Sequence, residues 1–268
     1  MLDQPRVMGI LNVTPDSFYD GAFYQEERKI LEQVEQMLEE GASIIDVGGM
    51  STRPGSVSIG EEEELRRVMP VVQTLAQRFP EAILSIDTVH ARVARETVGA
   101  GAHIINDVSA GKMDEAMFDT VADLEVPYIL MHMQGRPETM QKEPTYKEVA
   151  GDILDFFIAS IGRLRELGVK DLILDPGFGF GKSLKHNYKL LKNLHLFQIL
   201  DLPVLAGISR KGMIHRLLKI SPAEALNATT ALHMVCLQQG AAIIRVHDVK
   251  EAVEVIKCWQ QLEQVDNE

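Results

Sequence analysis

What this chain has little of narrows it before any motif is read. Two cysteines in 268 residues, Cys236 and Cys258, are too few for a disulfide framework. Both fall in helix-like stretches, so two buried structural thiols are expected and a zinc site is not. No apolar run approaches the roughly 18 residues of a membrane span. The first residues lack the basic, apolar and small-residue order of a secretory signal. A soluble protein of a reducing compartment, the cytoplasm, is the expectation. Basic charge is scarce too. Lys and Arg number 27 against 39 Asp and Glu, for a net charge of −12. That excludes a nucleic-acid partner, whose binding needs clustered cations, but leaves room for a small anionic ligand. Low-complexity stretches, linkers and repeats are also missing, which argues against a solenoid.

What is present is one composition throughout, 46% hydrophobic and 25% charged. That suits a single domain over residues 1–268, since α/β barrels of about 250 residues fold as one unit. Burial of roughly three quarters of the unfolded surface makes disulfides unnecessary. Eight short apolar runs punctuate the chain, and each leads into a polar residue. Their ends carry Asn12, Asp46, Asp87, Asn106, His132 and Asp175. The seventh leads to Ser209 and Lys211, the eighth to Arg245 and His247. Runs this short and β-branched read as strands buried on both faces. Amphipathic helices separate them, at residues 25–40, 61–79, 90–100, 114–124, 147–167, 184–193, 222–239 and 249–264. Gly41, Gly101, Gly168 and Gly240 stand where left-handed helix caps belong. Pro70 predicts a kink in the second helix. The expected fold is a (β/α)8 TIM barrel, with an open doubly wound sheet as the alternative. Loops 14–24 and 51–60 would overhang the catalytic rim as lids.

The motifs then take chemical roles, each against an ordinary alternative. DPGFGFGKS at 175–183 is neither a P-loop nor a dinucleotide fingerprint, because Pro176 and Lys182 occupy positions that require glycine. Its glycines let a loop fold tightly beside a ligand, with Asp175 at its base or capping it. Asp87 and Asn106 end apolar strands, and buried polar groups need partners. Capping by Thr88 would satisfy Asp87. Taken together, Asp87, Asn106 and Asp175 form an acceptor set suited to a flat heterocycle rich in N–H donors, such as a pterin or purine. Ser209, Lys211, Arg245 and His247 follow strands seven and eight, the frequent phosphate position of barrels, with residues 213–218 as the short extra helix. Arg suits bidentate contact with phosphate oxygens, or forms a surface ion pair. Asn12 is either an Asx-type turn before Pro15 or, with a diphosphate and waters, a ligand for Mg²⁺. Arg53 reaches an anion or is solvated. His132 is read as structural. Phe180, between two glycines, is a candidate wall for an aromatic substrate.

Eight segments, taken in order, resemble the dihydropteroate synthase family of pterin-binding barrel enzymes. They are GILNVTPDSF (9–18), DVGGMSTRPG (46–55), SIDT (85–88), INDV (105–108), MHMQG (131–135), DPGFGFGK (175–182), GISRK (207–211) and RVHDV (245–249). The resemblance implies a transferase of folate biosynthesis, a sulfonamide target. It would join 4-aminobenzoate to 7,8-dihydropterin-6-ylmethyl diphosphate, forming 7,8-dihydropteroate and diphosphate. By the same resemblance Asp87, Asn106, Asp175 and Lys211 hold the pterin, with Met131 and Gly207 lining its slot. Asn12 carries Mg²⁺. Thr52, Arg53, Arg245 and His247 bind the diphosphate with Asn12. Pro54, Phe180, Ser209 and Lys211 form the aminobenzoate pocket. Asp87, Lys211, Arg245 and His247 are the catalytic set, and a homodimer is implied. The chain departs from the family pattern at Met50, where many members carry Glu, and at Tyr19 and Ala22, which replace the usual Ser and Gly. Two other readings share the barrel. A corrinoid-type methyl transferase would have less use for the cation sets, and a catalytically dead pterin-binding barrel would have no reason to keep them.

Overall fold

The structure is a computed structural model that describes residues 4–13, 23–50, 59–135, 140 and 144–265, with the backbone alone for residues 23–26. Among the described residues, eight strands alternate with helices: β1 (Arg6–Asn12), β2 (Ile44–Gly48), β3 (Ile83–Asp87), β4 (Ile104–Asp107), β5 (Tyr128–Met131), β6 (Leu172–Asp175), β7 (Leu205–Ala206) and β8 (Ile243–Val246). All pairings are parallel, in the order β6-β5-β4-β3-β2-β1-β8-β7. The two edges meet through a parallel bridge between Leu174 and Val204, supported by the Leu174 N–H donating to the Pro203 carbonyl at 2.8 Å. Closure therefore selects the barrel over the open sheet, and removes the exposed edges that an open sheet would carry.

The helices are α1 (Phe23–Glu39), α2 (Glu61–Arg78), α3 (Ala91–Gly99), α4 (Met117–Leu124), α5 (Val149–Glu166), α6 (Leu184–Lys192), α7 (Gly212–Leu218), α8 (Leu226–Gln238) and α9 (Val249–Val265). The first two bury the apolar faces their periodicity predicts, with Ile30, Val34 and Met37 in α1. In α2 these are Leu65, Val68, Val72 and Leu75, with Glu61 to Glu64 in the positively poled first turn. Pro70 lies inside α2 without ending it. The predicted caps Gly41, Gly101, Gly168 and Gly240 all have positive φ. Two starts differ from expectation by three residues or more. The fourth helix begins at Met117 because Asp114 serves as a local cap, its carboxylate accepting from Ala116 N–H and from Ala91 N–H of α3. The stretch at 222–225 is a 3₁₀ turn that leads into α8.

Strand alternation builds the interior in layers. Met8, Ile44, Ile104, Ile129, Ile173, Leu205 and Ile243 form one apolar cluster from seven strands. The residues flanking them in sequence, such as Val7, Ile45, Ile105 and Ile244, face the helices in the main core. Two positions further along the same seven strands come Ile10, Asp46, Asn106, Met131, Asp175, Gly207 and Arg245. The barrel is thus plugged at one level and polar at the next, and that polar layer is the floor of the site.

Candidate active site

Asp87 joins this layer from β3, where register pairs it with Gly48 of β2 and Asn106 of β4. Four of the polar side chains bind one another. Arg245 donates from Nε to Asp46 Oδ2 at 2.6 Å and from Nη2 to Asp87 Oδ2 at 2.9 Å. Asn106 Nδ2 donates to the same Asp46 oxygen at 3.1 Å. Asp87 is buried, which pushes its carboxyl up to about 7 against the lowering effect of Arg245, and the negative charge of Asp46 adds to the rise. Arg245 stays a cation, because both carboxylates outweigh the cost of its burial. The capping alternative for Asp87 does not hold. Thr88 Oγ1 instead accepts from His90 N–H, while Asp87 turns inward to Arg245.

Asp175 stands across the mouth. Its Oδ1 accepts from Gly177 N–H at 2.7 Å, so it is both an acceptor on the rim and the cap of its own loop. Burial raises its carboxyl, opposed first by Lys211. The loop it caps is held by Lys182, whose buried Nζ donates to the carbonyls of Gly177 at 2.8 Å and Phe180 at 3.1 Å and lies 3.1 Å from His132 Nδ1. His132 is pushed down to about 2, by burial first and then by Lys182, so it is neutral and structural. The chain passes so close to the MHMQG segment that only glycine fits. A Cβ on Gly177 would lie 2.0 Å from the His132 carbonyl oxygen, and one on Gly181 2.2 Å from that of Gln134.

This tight loop presents Phe180, half-buried, beneath the Lys211 ammonium, which sits 4.7 Å from the ring centroid. Phe178 turns into the core, and its carbonyl accepts from Lys211 Nζ at 2.6 Å. Burial brings Lys211 down to about 8, with Asp175 opposing the shift. Gly207 faces the same ammonium. Met131 belongs to an apolar cluster with Met50, Val89, Val108, Met133 and Met140, against which Phe180 packs. Beyond Lys211, Ser209 Oγ lies 3.0 Å from His247 Nδ1 and accepts from the His247 N–H. Arg210 is a structural cation, paired to Asp248 through two hydrogen bonds. Asn12 is exposed at the end of β1.

Asp87, Asn106, Met131, Asp175, Gly207, Lys211, Phe180 and Arg245 are therefore brought to one mouth, with Asn12, Ser209 and His247 at the ends of their strands. Thr52, Arg53 and Pro54 lie outside the described residues, as do residues 14–22 and 51–58 of the two expected lids. Reading from the residues gave Asp46 no role, although it stands two positions beyond Ile44, in step with Asn106 and Asp175. That period of two was the available signal. Lys182 and Asp107 were also missed. Asp107 accepts from Ser109 N–H, Gly111 N–H and Tyr128 Oη and so anchors the turn after β4.

The sequence profile of the pterin binding enzyme family matches residues 8–247. The dihydropteroate synthase of Escherichia coli K12 is 48% identical over 258 residues, covering 96% of this chain and 91% of that protein. A crystal structure of the Yersinia pestis dihydropteroate synthase with a sulfonamide drug complex superposes with a TM-score of 0.92, at 45% identity, covering 98% of this chain and 96% of that one. The Xanthomonas albilineans dihydropteroate synthase with 4-aminobenzoic acid gives 0.89 at 42% identity, covering 98% and 94%. A polar layer above an apolar plug, and relatives matched over nearly the whole chain, lead to one conclusion: this chain belongs to the pterin binding enzyme family.

Proposed function

We propose that this mouth makes 7,8-dihydropteroate, with a division of labour among its residues. The activity is that of a dihydropteroate synthase, a transferase of folate biosynthesis that moves a pterinylmethyl group from diphosphate to 4-aminobenzoate. The observation that carries the residue assignment is the layer itself. Acceptors from three strands, Asp87, Asn106 and Asp175, face the Lys211–Phe180 stack, with Arg245 at their edge.

Asp87, Asn106 and Asp175 accept from the N–H groups of the pterin, Lys211 holds it as a donor, and Met131 and Gly207 line its slot. Lys211 and Phe180, with Ser209 and Pro54, receive the aminobenzoate, the ammonium over the ring and the carboxylate within its reach. Arg245 retains Nη1 for an anion after using Nε and Nη2 on Asp46 and Asp87. With His247, Thr52 and Arg53, it holds the diphosphate. Among the described residues no group of three or more His, Cys, Asp or Glu can cage a metal. The donor present, the single neutral oxygen of Asn12, fits an ion bound mainly by diphosphate oxygens and water, which is the habit of Mg²⁺. When bound there, Mg²⁺ supplies positive charge to the leaving diphosphate.

The pterin C–O bond is allylic-like, so it breaks heterolytically and its electron pair leaves with diphosphate. Arg245 and His247 stabilise that charge, while the Asp87 and Asp175 carboxylates stabilise the ring-delocalised cation. Preorganised groups of this kind contribute about a hundred- to a thousandfold each. The arylamine nitrogen then bonds to the methylene and sheds one proton. No strong base is required, consistent with a rim lacking a nucleophile–His–Asp set among its described residues. Residues 1–268 act as one domain. Of the two unpaired thiols, Cys236 is buried as expected while Cys258 is exposed, on the outer face of the last helix, contrary to expectation; both being unpaired supports a cytoplasmic setting, and the family resemblance supports a homodimer. The test is incubation with dihydropterin diphosphate, Mg²⁺ and labelled 4-aminobenzoate. Labelled dihydropteroate and diphosphate should appear in equal amounts. Pterin binding without release of diphosphate would sink the catalytic reading.

A further inference from the structure

Asp46 is fully buried and has no substrate role assigned above, yet two residues assigned to substrates bind it. Its Oδ2 takes the Arg245 Nε at 2.6 Å and the Asn106 Nδ2 at 3.1 Å. Its Oδ1 and the Ser85 Oγ, side by side in β2–β3 register, have no hydrogen-bond partner among the described residues. A buried carboxylate with one oxygen unsatisfied is costly, and such a group calls for an explanation. The ion pair with Arg245 accounts for Oδ2 but not for the unsatisfied Oδ1.

We propose that Asp46 is a positioning residue that sets the hydrogen-bond polarity of the pterin slot. An ionised carboxylate only accepts. The Asn106 carboxamide must therefore turn its NH₂ toward Asp46, which leaves its Oδ1 as the group for the ligand. Asp87 and Asp175 use one oxygen each inside the protein, Oδ2 on Arg245 and Oδ1 on Gly177. Each keeps its second oxygen. Asp46 thereby converts an ambivalent amide into a third acceptor beside two carboxylates. It also holds Arg245 flat against Asp87, so the guanidinium cannot swing across the slot and offer donors there. The ligand selected is one that presents a row of N–H donors. This inference rests on the pterin slot proposed above.

The test compares 6-hydroxymethylpterin binding by calorimetry in the wild type, Asp46→Leu, and the pair Asp46→Leu/Asn106→Asp. In Asp46→Leu no acceptor faces Asn106, and its amide is free to turn its NH₂ toward the ligand. Affinity should fall about ten- to a hundredfold, the effect of one misdirected hydrogen bond in a charged site. In the pair, the carboxylate now carried by β4 has no donor to present, whichever way it turns. It again accepts from the ligand, and at least tenfold of the loss should return. A purely structural Asp46 would not give this rescue. Wild-type affinity in Asp46→Leu, or no recovery in the pair, would overturn the inference. If the wild type itself binds no pterin, the slot assignment fails first and takes this inference with it. Should the variants not fold, the unaltered enzyme still decides. The side-chain NH₂ protons of Asn106, followed with ¹⁵N-asparagine, should be protected from exchange before and after pterin binding. Exchange at the rate of a solvated amide would overturn it.

Discussion

Replacing Asp87 by Asn tests the site most directly, because it changes charge without changing size. In the wild type, burial holds this carboxyl at about 7, and Arg245 already takes its Oδ2. Its remaining oxygen is an acceptor only while ionised. As pH falls through 7 the free enzyme takes up a proton that the pterin complex must release. Affinity should therefore drop by up to tenfold per pH unit below about 7 and level off above it. The raised value sets that window, and the sign follows because the competent form is the ionised one, present at higher pH. Asp87→Asn is neutral throughout. At pH 8 it loses a charge-assisted hydrogen bond, about 1.5–3 kcal/mol, which is roughly ten- to 150-fold in affinity. Its pH slope between 5.5 and 7 should be lower by one proton. Calorimetric titration of 6-hydroxymethylpterin at pH 5.5 to 8.5 measures both quantities. A wild-type affinity flat across that range, or a variant with the same slope as the wild type, would refute the reasoning.

Arg245→Met removes the cation between two buried carboxylates. It should cost about 3–5 kcal/mol of stability, a fall in melting temperature of roughly 10 °C, as well as lowering kcat; an unchanged melting temperature would show that the pair is not buried as described. Phe180→Ala removes the ring beneath Lys211 and should raise the KM for 4-aminobenzoate about five- to thirtyfold while pterin affinity stays within twofold, which steady-state kinetics and calorimetry would separate. Gly181→Ala places a Cβ against the Gln134 carbonyl oxygen at a φ of +63°. The loop must move, so the KM for 4-aminobenzoate should rise with little change in helix content by circular dichroism; normal kinetics would mean the loop can yield. Tyr128→Phe removes one of three donors to Asp107 and should cost about 1–2 kcal/mol in urea unfolding with kcat unaltered.

Local pattern carried much of this. Short β-branched runs separated by amphipathic helices specify buried parallel strands, because only such strands hide both faces. Polar residues at their ends mark the rim. A family resemblance across eight segments then named the chemistry, and the near-full-length relatives agree with it. The strand ends at Asp87, Asn106, Asp175 and Arg245 were legible because each is a lone polar group closing an apolar run.

What tertiary structure decided was who binds whom. Closure at Leu174 and Val204 separates a barrel from an open sheet, and no run of residues encodes it locally. Arg245 meets Asp46 across 199 residues and Asp87 across 158, a pairing created by β8 lying beside β1 and one strand from β2. Arg245 read in isolation suits phosphate; in the fold, two of its donors are spent on carboxylates. Asn106 read in isolation has no direction, since an amide donates and accepts alike, and Asp46 supplies the direction. The sequence by itself determined which residues reach the polar layer, because a strand alternates sides every residue. The tertiary structure alone decided their hydrogen-bond polarity and charge state, because both depend on neighbours brought together only when the barrel closes.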